Sequence, residues 1–558
     1  MCLGVTLPLS AHEPTLILMG GSYRTCSSLG SDNCQIDKRQ FPGARQAPSY
    51  RIDSKFFPAI LDPGYWASRD RPPAIKAIGQ MLTNAEAMAG DRTFDSNGLM
   101  ALFESKDPVI WNALLVSEQD MIVSAFEIPQ VHEGVRRKEG VRLDGGKGGH
   151  DEFLFRRFVQ EAAARAQGKK PRIAFVTSAA ANNFDSVDFY REILQQAGAE
   201  VVWWPVDASM NTAIFGQQGC DALPRLRQRI FSQLRREIVF PDLAEQQQKA
   251  CLQAGALADL PMQVQGVFFD GGDQWLHWNT FFNTDGKANT WLENLRTAFV
   301  TGNLVVAGTS AGTAIQSGPV MITNGTSANA LTRGARIYGS MPEGCDRAKR
   351  CPEDLQEDDL TFWPGGGLSL AGPILMDTHF SDRSRELRFI TLLNAAKAEA
   401  GIGVDETSAV MLRFGKSEVA VEAFGRSGAW WLMKPAQGQT NGSLSLLAHY
   451  LAPGKTLHWR DGQLHSENTA LFDTGKKADS TATDALARGA MRESLWKMVS
   501  NHQSETTLRA QGRLIEIAAS PTSRFWQGPE NQMGITDLKI VVTDDEISTA
   551  SGQDQTSH

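Results

Sequence analysis

The residue best suited to covalent chemistry is Ser310, at the centre of Gly308-Thr-Ser-Ala-Gly312. A β-branched run precedes this motif, and the helix-compatible Thr313-Ala-Ile-Gln316 follows it. G-x-S-x-G between a strand and a helix is typical of a nucleophile elbow, where small neighbours make room for a serine in a strained turn. The following helix aims backbone N–H groups at a developing oxyanion, and the Ala311 amide is the first donor. The alternative is an exposed serine in an ordinary Rossmann-like turn, but the strand-to-helix context favours a nucleophile.

A second glycine turn, Asp270-Gly-Gly-Asp-Gln274, follows another apolar run and should reach the same edge of a parallel sheet. Open α/β sheets bind ligands at that edge. We therefore expect Gly272 or Asp273 to supply the second oxyanion donor, and Gln274 to offer a donor and an acceptor to substrate. The alternative is a tight turn that contacts no ligand.

A serine nucleophile needs a base, and His379 has the best surroundings of the ten histidines. It ends the strand-like run Pro373-Ile-Leu-Met-Asp-Thr-His379, and catalytic residues collect at such strand ends. His277, close to the second glycine turn, is its main rival. Histidines in polar loops or tails, where a solvated side chain is the default, include His132, His150, His465 and His558.

Three acids could orient His379. Asp377 lies in the same strand pattern, while Asp405 and Glu406 end the strand pattern that begins at Gly401. A carboxylate bonded to the imidazole would fix its tautomer, but spacing alone does not choose among the three.

Three arginines within six positions of one another, Arg383, Arg385 and Arg388, follow His379. Arg385 and Arg388 would share a helix face, and a guanidinium fork suits carboxylate recognition. Beside a candidate base, this cluster predicts an anionic group on the substrate. A solvated helix start with Arg–Glu pairs is the alternative.

These side chains must be positioned by the elements around them. Strand and helix patterns alternate through the chain's middle, which indicates right-handed crossovers and a mainly parallel sheet covered on both faces, an α/β sandwich. Large excursions interrupt the alternation at about 22–150, 207–262 and 319–361. One helix is predicted in the first excursion (Pro73–Ala89), a charged one in the second (Leu223–Arg236) and one in the tail (Thr483–Val499). The predicted core strands are Thr15–Met19, Arg172–Thr177, Glu200–Val206, Gly266–Phe269 and Leu304–Ala307. The predicted core helices are Asp151–Ala166 and Ser186–Ala197. Three further strands are predicted to extend the same sheet in antiparallel fashion: Ala409–Phe414, Val419–Phe424 and Ala429–Met433.

Composition narrows the function classes. The 558 residues carry a net charge of −8 without a clustered basic face, which argues against nucleic acid as a partner. No apolar run approaches the roughly 20 residues that cross a bilayer. Six of the seven cysteines fall into three sets of neighbours, 26 with 34, 220 with 251 and 345 with 351. These cysteines suggest disulfides and a periplasmic or secreted protein. The alternative is reduced thiols in a cytoplasmic enzyme. The first twelve residues could be the stump of an export signal.

In its core motifs the chain resembles the cyanophycinases, in the peptidase family that also contains the aspartyl dipeptidases. The matching text covers about half of the chain, and its last two motifs separate cyanophycinases from dipeptidases most sharply. The motifs, in order, are LILMGG, RIAFVTSAAANNFDSVDFYREILQQAGAEV, GVFFDGGDQ, VVAGTSAG, ILMDTHFSDRSRELR and GIGVDETSAV.

The resemblance implies a three-layer sandwich of the class I glutamine amidotransferase or flavodoxin type over residues 1–475, with 476–558 as an extension. It implies hydrolysis of cyanophycin, a poly-aspartate bearing arginine on its β-carboxyls, to β-Asp-Arg dipeptides by a homodimer. No metal or organic cofactor is expected. The alternatives are a serine peptidase for other Asp-containing peptides or isopeptides, and a non-catalytic homologue that binds peptide or polymer. By resemblance, the triad is Ser310, His379 and Glu406, and the substrate site includes Gln274, Asp377, Arg383, Arg385 and Arg388.

Overall fold

The structure is a computed structural model. It describes residues 12–35, 41–67, 75–345, 350–396, 398–434, 443–466, 469–473 and 483–545. The strands are β1 (Thr15–Met19), β2 (Cys26–Ser27), β3 (Val131–His132), β4 (Val135–Arg136), β5 (Val141–Arg142), β6 (Arg172–Val176), β7 (Glu200–Trp203), β8 (Gly266–Phe269), β9 (Val305–Thr309), β10 (Met321–Asn324), β11 (Ala335–Ile337), β12 (Leu360–Trp363), β13 (Ile374–Thr378), β14 (Ala400–Val404), β15 (Ser408–Phe414), β16 (Val419–Gly425), β17 (Ala429–Met433), β18 (Leu444–Leu451), β19 (Thr456–Arg460), β20 (Gln463–Ser466), β21 (Ala470–Leu471), β22 (Thr483–Asp484), β23 (Glu505–Ala510), β24 (Arg513–Ala519), β25 (Arg524–Gln527) and β26 (Met533–Asp544).

Helices fall mainly between the core strands and in the first two excursions. They are α1 (Phe57–Ile60), α2 (Pro63–Ala67), α3 (Ile75–Ala89), α4 (Ser96–Lys106), α5 (Pro108–Ala113), α6 (Val116–Ser124), α7 (His150–Ala163), α8 (Val187–Gln196), α9 (Ala208–Ile214), α10 (Leu223–Phe231), α11 (Arg236–Val239), α12 (Pro241–Leu252), α13 (Ala254–Asp259), α14 (Gln274–Phe281), α15 (Thr290–Val300), α16 (Ala311–Ala314), α17 (Ser327–Arg333), α18 (Glu386–Ala395) and α19 (Ala490–Ser500).

A nine-stranded sheet forms the centre of the molecule, in the order β20-β19-β16-β15-β1-β9-β8-β6-β7. The five strands from β1 to β7 run parallel, and the other four continue the sheet antiparallel. Its central strands β1, β8 and β9 are buried on both faces because α7 and α8 cover one face and α15 packs against the other. This confirms the predicted three-layer α/β sandwich with an antiparallel extension.

A second large sheet lies beside the first, in the order β13-β14-β17-β18-β26-β24-β23-β22, with β25 on β26 and β21 on β25. The prediction that Ala429–Met433 extends the first sheet was therefore wrong, because β17 pairs with β14 and β18 instead. Its five residues are all buried, and Trp431 meets Trp459 of the first sheet at a ring distance of 5.6 Å. The sequence pattern specifies a buried strand but not which strand pairs with it.

The first excursion is more helical than predicted. Its described residues form six helices, α1 to α6, where the sequence indicated one, and these helices enclose a hydrophobic core of their own. Short helices such as α4 and α5 begin after Asp95 and Asp107, whose side chains accept an N-terminal amide. The predicted helix at 73–89 begins at Ile75 in the described residues, and the one predicted from 483 begins only at Ala490.

Three disulfides join the neighbouring cysteines: Cys26 with Cys34, Cys220 with Cys251, and Cys345 with Cys351. The predicted disulfides are thereby confirmed. Across the described residues, none of the helices is long and apolar enough to cross a lipid bilayer.

Candidate active site

Ser310 occupies a sharp turn between β9 and α16. Its φ of 52° and ψ of −115° lie in a region that L-residues rarely adopt. The flanking glycines are required by close backbone approach, since a Cβ at Gly308 would lie 2.1 Å from the carbonyl oxygen of Gly312. The turn is therefore a strained elbow that pushes the serine hydroxyl out of the sheet.

The turn after β1 fastens three parts of the site together. The Met19 carbonyl accepts the amide of Ser310 at 3.1 Å, and the Gly20 carbonyl accepts the amide of His379 at 3.0 Å. The Gly21 carbonyl accepts the amide of Thr407 at 2.9 Å. Gly21 also has a φ of 97°, and a Cβ there would lie 2.5 Å from the His379 ring. Three consecutive carbonyls thus set the spacing between the elbow, the histidine and the segment after Glu406.

The side chains of Ser310, His379 and Glu406 form a continuous hydrogen-bonded chain. Ser310 Oγ lies 2.8 Å from His379 Nε2, and His379 Nδ1 lies 2.9 Å from Glu406 Oε1. Ser310 comes from the first sheet, whereas His379 and Glu406 follow β13 and β14 of the second. Such an arrangement can pass the proton of a serine hydroxyl to an imidazole and stabilise the positive charge that forms on the ring.

The charge states of this chain follow from its surroundings. The hydrogen bond from His379 lowers the pKa of Glu406 to about 2, with Ser22 contributing further, so Glu406 is an acceptor at neutral pH. Burial lowers the pKa of His379 below its ordinary value, although the Glu406 bond opposes this shift. Because the Glu406 carboxylate can only accept, Nδ1 carries the proton and Nε2 is left as the acceptor facing Ser310 Oγ.

The rival histidine, His277, is buried in another network. Its Nδ1 lies 2.7 Å from Ser178 Oγ, and its Nε2 lies 3.1 Å from the carbonyl oxygen of Asp270. Burial lowers the pKa of His277 to about 4. His379 is the histidine that the described residues place beside Ser310.

The other two candidate acids are engaged elsewhere. Asp405 is fully buried and accepts from the Ser381 amide, the Tyr450 hydroxyl and Arg492. Asp377 accepts a two-pronged contact from Arg388, at 2.9 and 2.7 Å, and a longer one from Arg385 at 3.3 Å. Among the three acids, the one bonded to His379 is Glu406.

A cavity of about 420 Å³ opens over Ser310. One wall comes from the third excursion, which supplies Ile322, Thr323, Asn324, Gly325, Ser340 and Met341. The predicted site residues Gly272, Asp273, Gln274, Ala311, Asp377, Arg383, Arg385 and Arg388 all line the same cavity, together with Ser310 and His379.

The arginines differ in what they can offer a ligand. Arg388 is buried and committed to Asp377 and to the carbonyl of Gly325. Arg385 is mostly buried, and burial together with the Arg388 charge lowers its pKa to about 9. Arg383 leaves half of its side chain exposed, 3.7 Å from Glu406. Arg385 and Arg388 share the single carboxylate of Asp377, and Arg383 lies near Glu406, so three guanidinium groups meet two carboxylates and this wall carries net positive charge.

The second glycine turn also lines the cavity. Gly272 lines the cavity together with Ala311, the first residue of α16, whose amide has no acceptor within its own helix. Gln274 donates its amide nitrogen to the carbonyl of Ile322 at 2.7 Å, so its oxygen is the atom it offers a ligand. Asp273 is exposed and caps α14 through the Trp275 amide at 2.8 Å.

No protein-family model matches the chain. Among solved structures, a crystal structure of a peptidase from an acI-B1 Actinobacterium is similar at 15% sequence identity and a TM-score of 0.29. The match covers 57% of this chain and 91% of that one. A TM-score this low transfers no property from that protein to this chain.

The site contains residues that the sequence did not single out. Ser22 Oγ lies 3.2 Å from His379 Nδ1, and its place directly after Gly20-Gly21 at the end of β1 was a usable signal. Arg488, between β22 and α19, lies 3.4 Å from Glu406 Oε2. Its distance of 82 positions from Glu406 gives no signal in one sequence.

Proposed function

We propose that this chain is a serine peptidase of the cyanophycinase type, with Ser310 as nucleophile, His379 as general base and Glu406 as the acid that orients it. The observation that carries the proposal is the hydrogen-bonded chain from Ser310 through His379 to Glu406, at 2.8 and 2.9 Å beneath an open cavity. The sequence motifs that resemble cyanophycinases supply the choice of substrate.

The proposed reaction is acyl transfer. His379 Nε2 takes the Ser310 Oγ proton as Oγ attacks the scissile carbonyl, and Glu406 stabilises the imidazolium that forms. The amides of Ala311 and Gly272 would receive the oxyanion. The imidazolium proton then passes to the leaving amine, and water releases the acyl group by the same route in reverse.

The walls of the cavity fit a polymer that carries both charges. The net positive wall of Arg383, Arg385 and Arg388 suits the free carboxylates of a poly-aspartate backbone. Asp377 is already neutralised by two arginines, so it is poorly placed to receive a substrate guanidinium. Asp273 is exposed and lines the same cavity, and we assign that role to it.

The remaining parts of the proposal concern cellular context and assembly. Three disulfides are compatible with an exported protein acting on external polymer. A homodimer and a division into a hydrolase domain over 1–475 and an extension over 476–558 follow from the sequence resemblance and belong to the same proposal.

The test incubates the full chain and its Ser310→Ala variant with insoluble cyanophycin and identifies the soluble products by mass spectrometry. We expect β-Asp-Arg from the wild type and at least about a thousandfold less from the variant. Release of product by both proteins alike would contradict the nucleophile. If a fluorophosphonate labels Ser310 but no dipeptide appears, the serine chemistry stands and the substrate is another Asp-containing peptide. Absence of both labelling and product would favour a non-catalytic binding protein.

A further inference from the structure

The region after residue 482 reaches the catalytic acid. Arg488 approaches Glu406 Oε2 at 3.4 Å, on the oxygen opposite the one that His379 contacts. The next turn of chain begins α19, and Gly489 at its start donates its amide to the carbonyl of Ser381 at 2.8 Å. Ser381 lies two residues after His379, so the start of α19 touches both loops that carry the proposed base and acid.

Arg492, one turn into α19, points inward and joins two buried carboxylates. Its Nη1 lies 2.9 Å from Asp405 Oδ2, and its Nη2 lies 3.4 Å from Asp382 Oδ1. The exposed fractions of the Arg492, Asp382 and Asp405 side chains are 11%, 8% and 0%. Although burial alone would lower the pKa of Arg492, Asp405 and Asp382 help to raise it above its ordinary value.

The same two carboxylates hold the backbone of the active-site loops. Asp382 Oδ2 accepts the amide of Glu406 at 2.8 Å, and Asp405 Oδ1 accepts the amide of Ser381 at 2.8 Å. Each aspartate therefore bonds to the loop that carries the other: Asp382 follows His379 in sequence, and Asp405 precedes Glu406. The Arg492 cation is what allows two carboxylates to sit together in a buried space.

We propose that Arg492, assisted by Arg488, is a positioning residue for the triad: the C-terminal region holds the His379 and Glu406 loops in their reactive arrangement. The inference rests on the proposed function, because it concerns the reactivity of Ser310. Without Arg492, the two aspartates would repel each other and draw water or protons. The amides of Glu406 and Ser381 would then lose their fixed acceptors, and the hydrogen bond from His379 to Glu406 would lengthen.

The experiment measures fluorophosphonate labelling of Ser310 in the full chain, which needs no knowledge of the substrate. Labelling rates are recorded over a range of probe concentrations for wild type, Arg492→Met, Arg492→Lys and Arg488→Ala. We expect Arg492→Met to lower the maximal rate roughly 10- to 100-fold, with the half-saturating probe concentration unchanged because the cavity is intact. Arg492→Lys, which keeps the charge, should recover part of the rate. Arg488→Ala should cost no more than about fivefold because the side chain is exposed.

The matched control is Arg509→Met, which removes another ion pair of the C-terminal region. Arg509 Nε lies 2.8 Å from Asp545 Oδ2, and both residues are far along the chain from the loops that carry His379 and Glu406. We expect it to label at the wild-type rate. A maximal rate for folded Arg492→Met equal to that of wild type, or no recovery in Arg492→Lys, would overturn the inference while leaving the proposed function standing. Failure of the wild type to label would overturn the proposed function itself.

A second variant covers the case in which Arg492→Met does not fold. Asp382→Asn keeps the side-chain volume but removes the charge that links Arg492 to the Glu406 amide. A lower maximal rate at an unchanged half-saturating concentration supports the inference, and an unchanged maximal rate contradicts it.

Discussion

Ser310 and Ser178 both follow parallel strands of the first sheet, β9 and β6, and each lies against a histidine. In the Ser310 set, Ser310 Oγ meets His379 Nε2, and Nδ1 meets the Glu406 carboxylate. In the Ser178 set, Ser178 Oγ meets His277 Nδ1 at 2.7 Å, and Nε2 meets the carbonyl oxygen of Asp270.

The two sets differ in solvent access and in the charge of the group that the histidine contacts. Ser178 and His277 are almost completely buried, whereas Ser310 and His379 line an open cavity. Only one of the two histidines donates to an ionised carboxylate that could stabilise an imidazolium. The buried set instead holds the second glycine turn: His277 binds the Asp270 carbonyl, and Asp270 accepts the Ala179 amide at 3.1 Å. Hydrogen-bonded serine and histidine are therefore a weak sign of catalysis unless access and charge accompany them.

The largest expected difference between the two sets is in covalent reactivity. Ser310→Ala should abolish fluorophosphonate labelling, a loss of at least about a thousandfold, because Ser310 Oγ is the hydroxyl bonded to His379 Nε2, whereas Ser22 meets the protonated Nδ1. Ser178→Ala should label within a few-fold of wild type, since the buried set can act only by supporting the Asp270 turn. Mass spectrometry of the labelled peptide checks which serine reacts, and label on Ser178 in the wild type or in Ser310→Ala would show that the buried serine is reactive too.

The next difference is in how the buried histidine makes stability depend on pH. The pKa of His277 is about 4 in the folded chain, below its ordinary 6.5, because burial disfavours the charged ring. Between those values the unfolded chain binds a proton and the folded chain does not. Stability is therefore lost as pH falls through this window, by about 3 kcal/mol for this group alone.

The measurement compares urea unfolding of wild type and His277→Gln between pH 6.5 and pH 4. Glutamine does not titrate, so the variant should be less stable overall but should lose about 3 kcal/mol less across the window. Other buried groups, such as His449, contribute equally to both proteins and cancel. Equal slopes for the two proteins would mean that His277 is not the buried neutral group described above.

Local signals predicted the elbow and the histidine that lies beside Ser310. The strained turn at Ser310 depends on its sequence neighbours Gly308 and Gly312, and His379 lies at the end of a strand pattern. The resemblance, and not spacing, selected Glu406 over Asp377 and Asp405. What no local pattern could supply is the partner of each strand: Ala429–Met433 was recognised as a strand but assigned to the wrong sheet. Pairing depends on contacts between residues far apart in the chain, as does the approach of Arg492 to Asp405 across 87 positions.

The smallest expected difference concerns backbone strain, and it should reverse in sign between the two serines. Ser310 has a φ of 52°, whereas Ser178 has an ordinary negative φ. Glycine tolerates the Ser310 conformation, so Ser310→Gly should be more stable than Ser310→Ala by about 1 kcal/mol. This difference is the backbone strain that glycine relieves minus the extra conformational entropy that glycine gives the unfolded chain. At position 178 nothing is relieved, so Ser178→Gly should be less stable than Ser178→Ala by about 0.5 to 1 kcal/mol.

Comparing glycine with alanine at each position removes the hydroxyl from both sides, so lost hydrogen bonds to His379 or His277 cancel. Urea unfolding of the four variants at neutral pH, with disulfides intact, gives both differences from one set of curves. Opposite signs would mean that strain is stored at the proposed nucleophile and not at its buried counterpart. If the glycine variant is less stable than the alanine variant at both positions, the backbone of Ser310 is not strained.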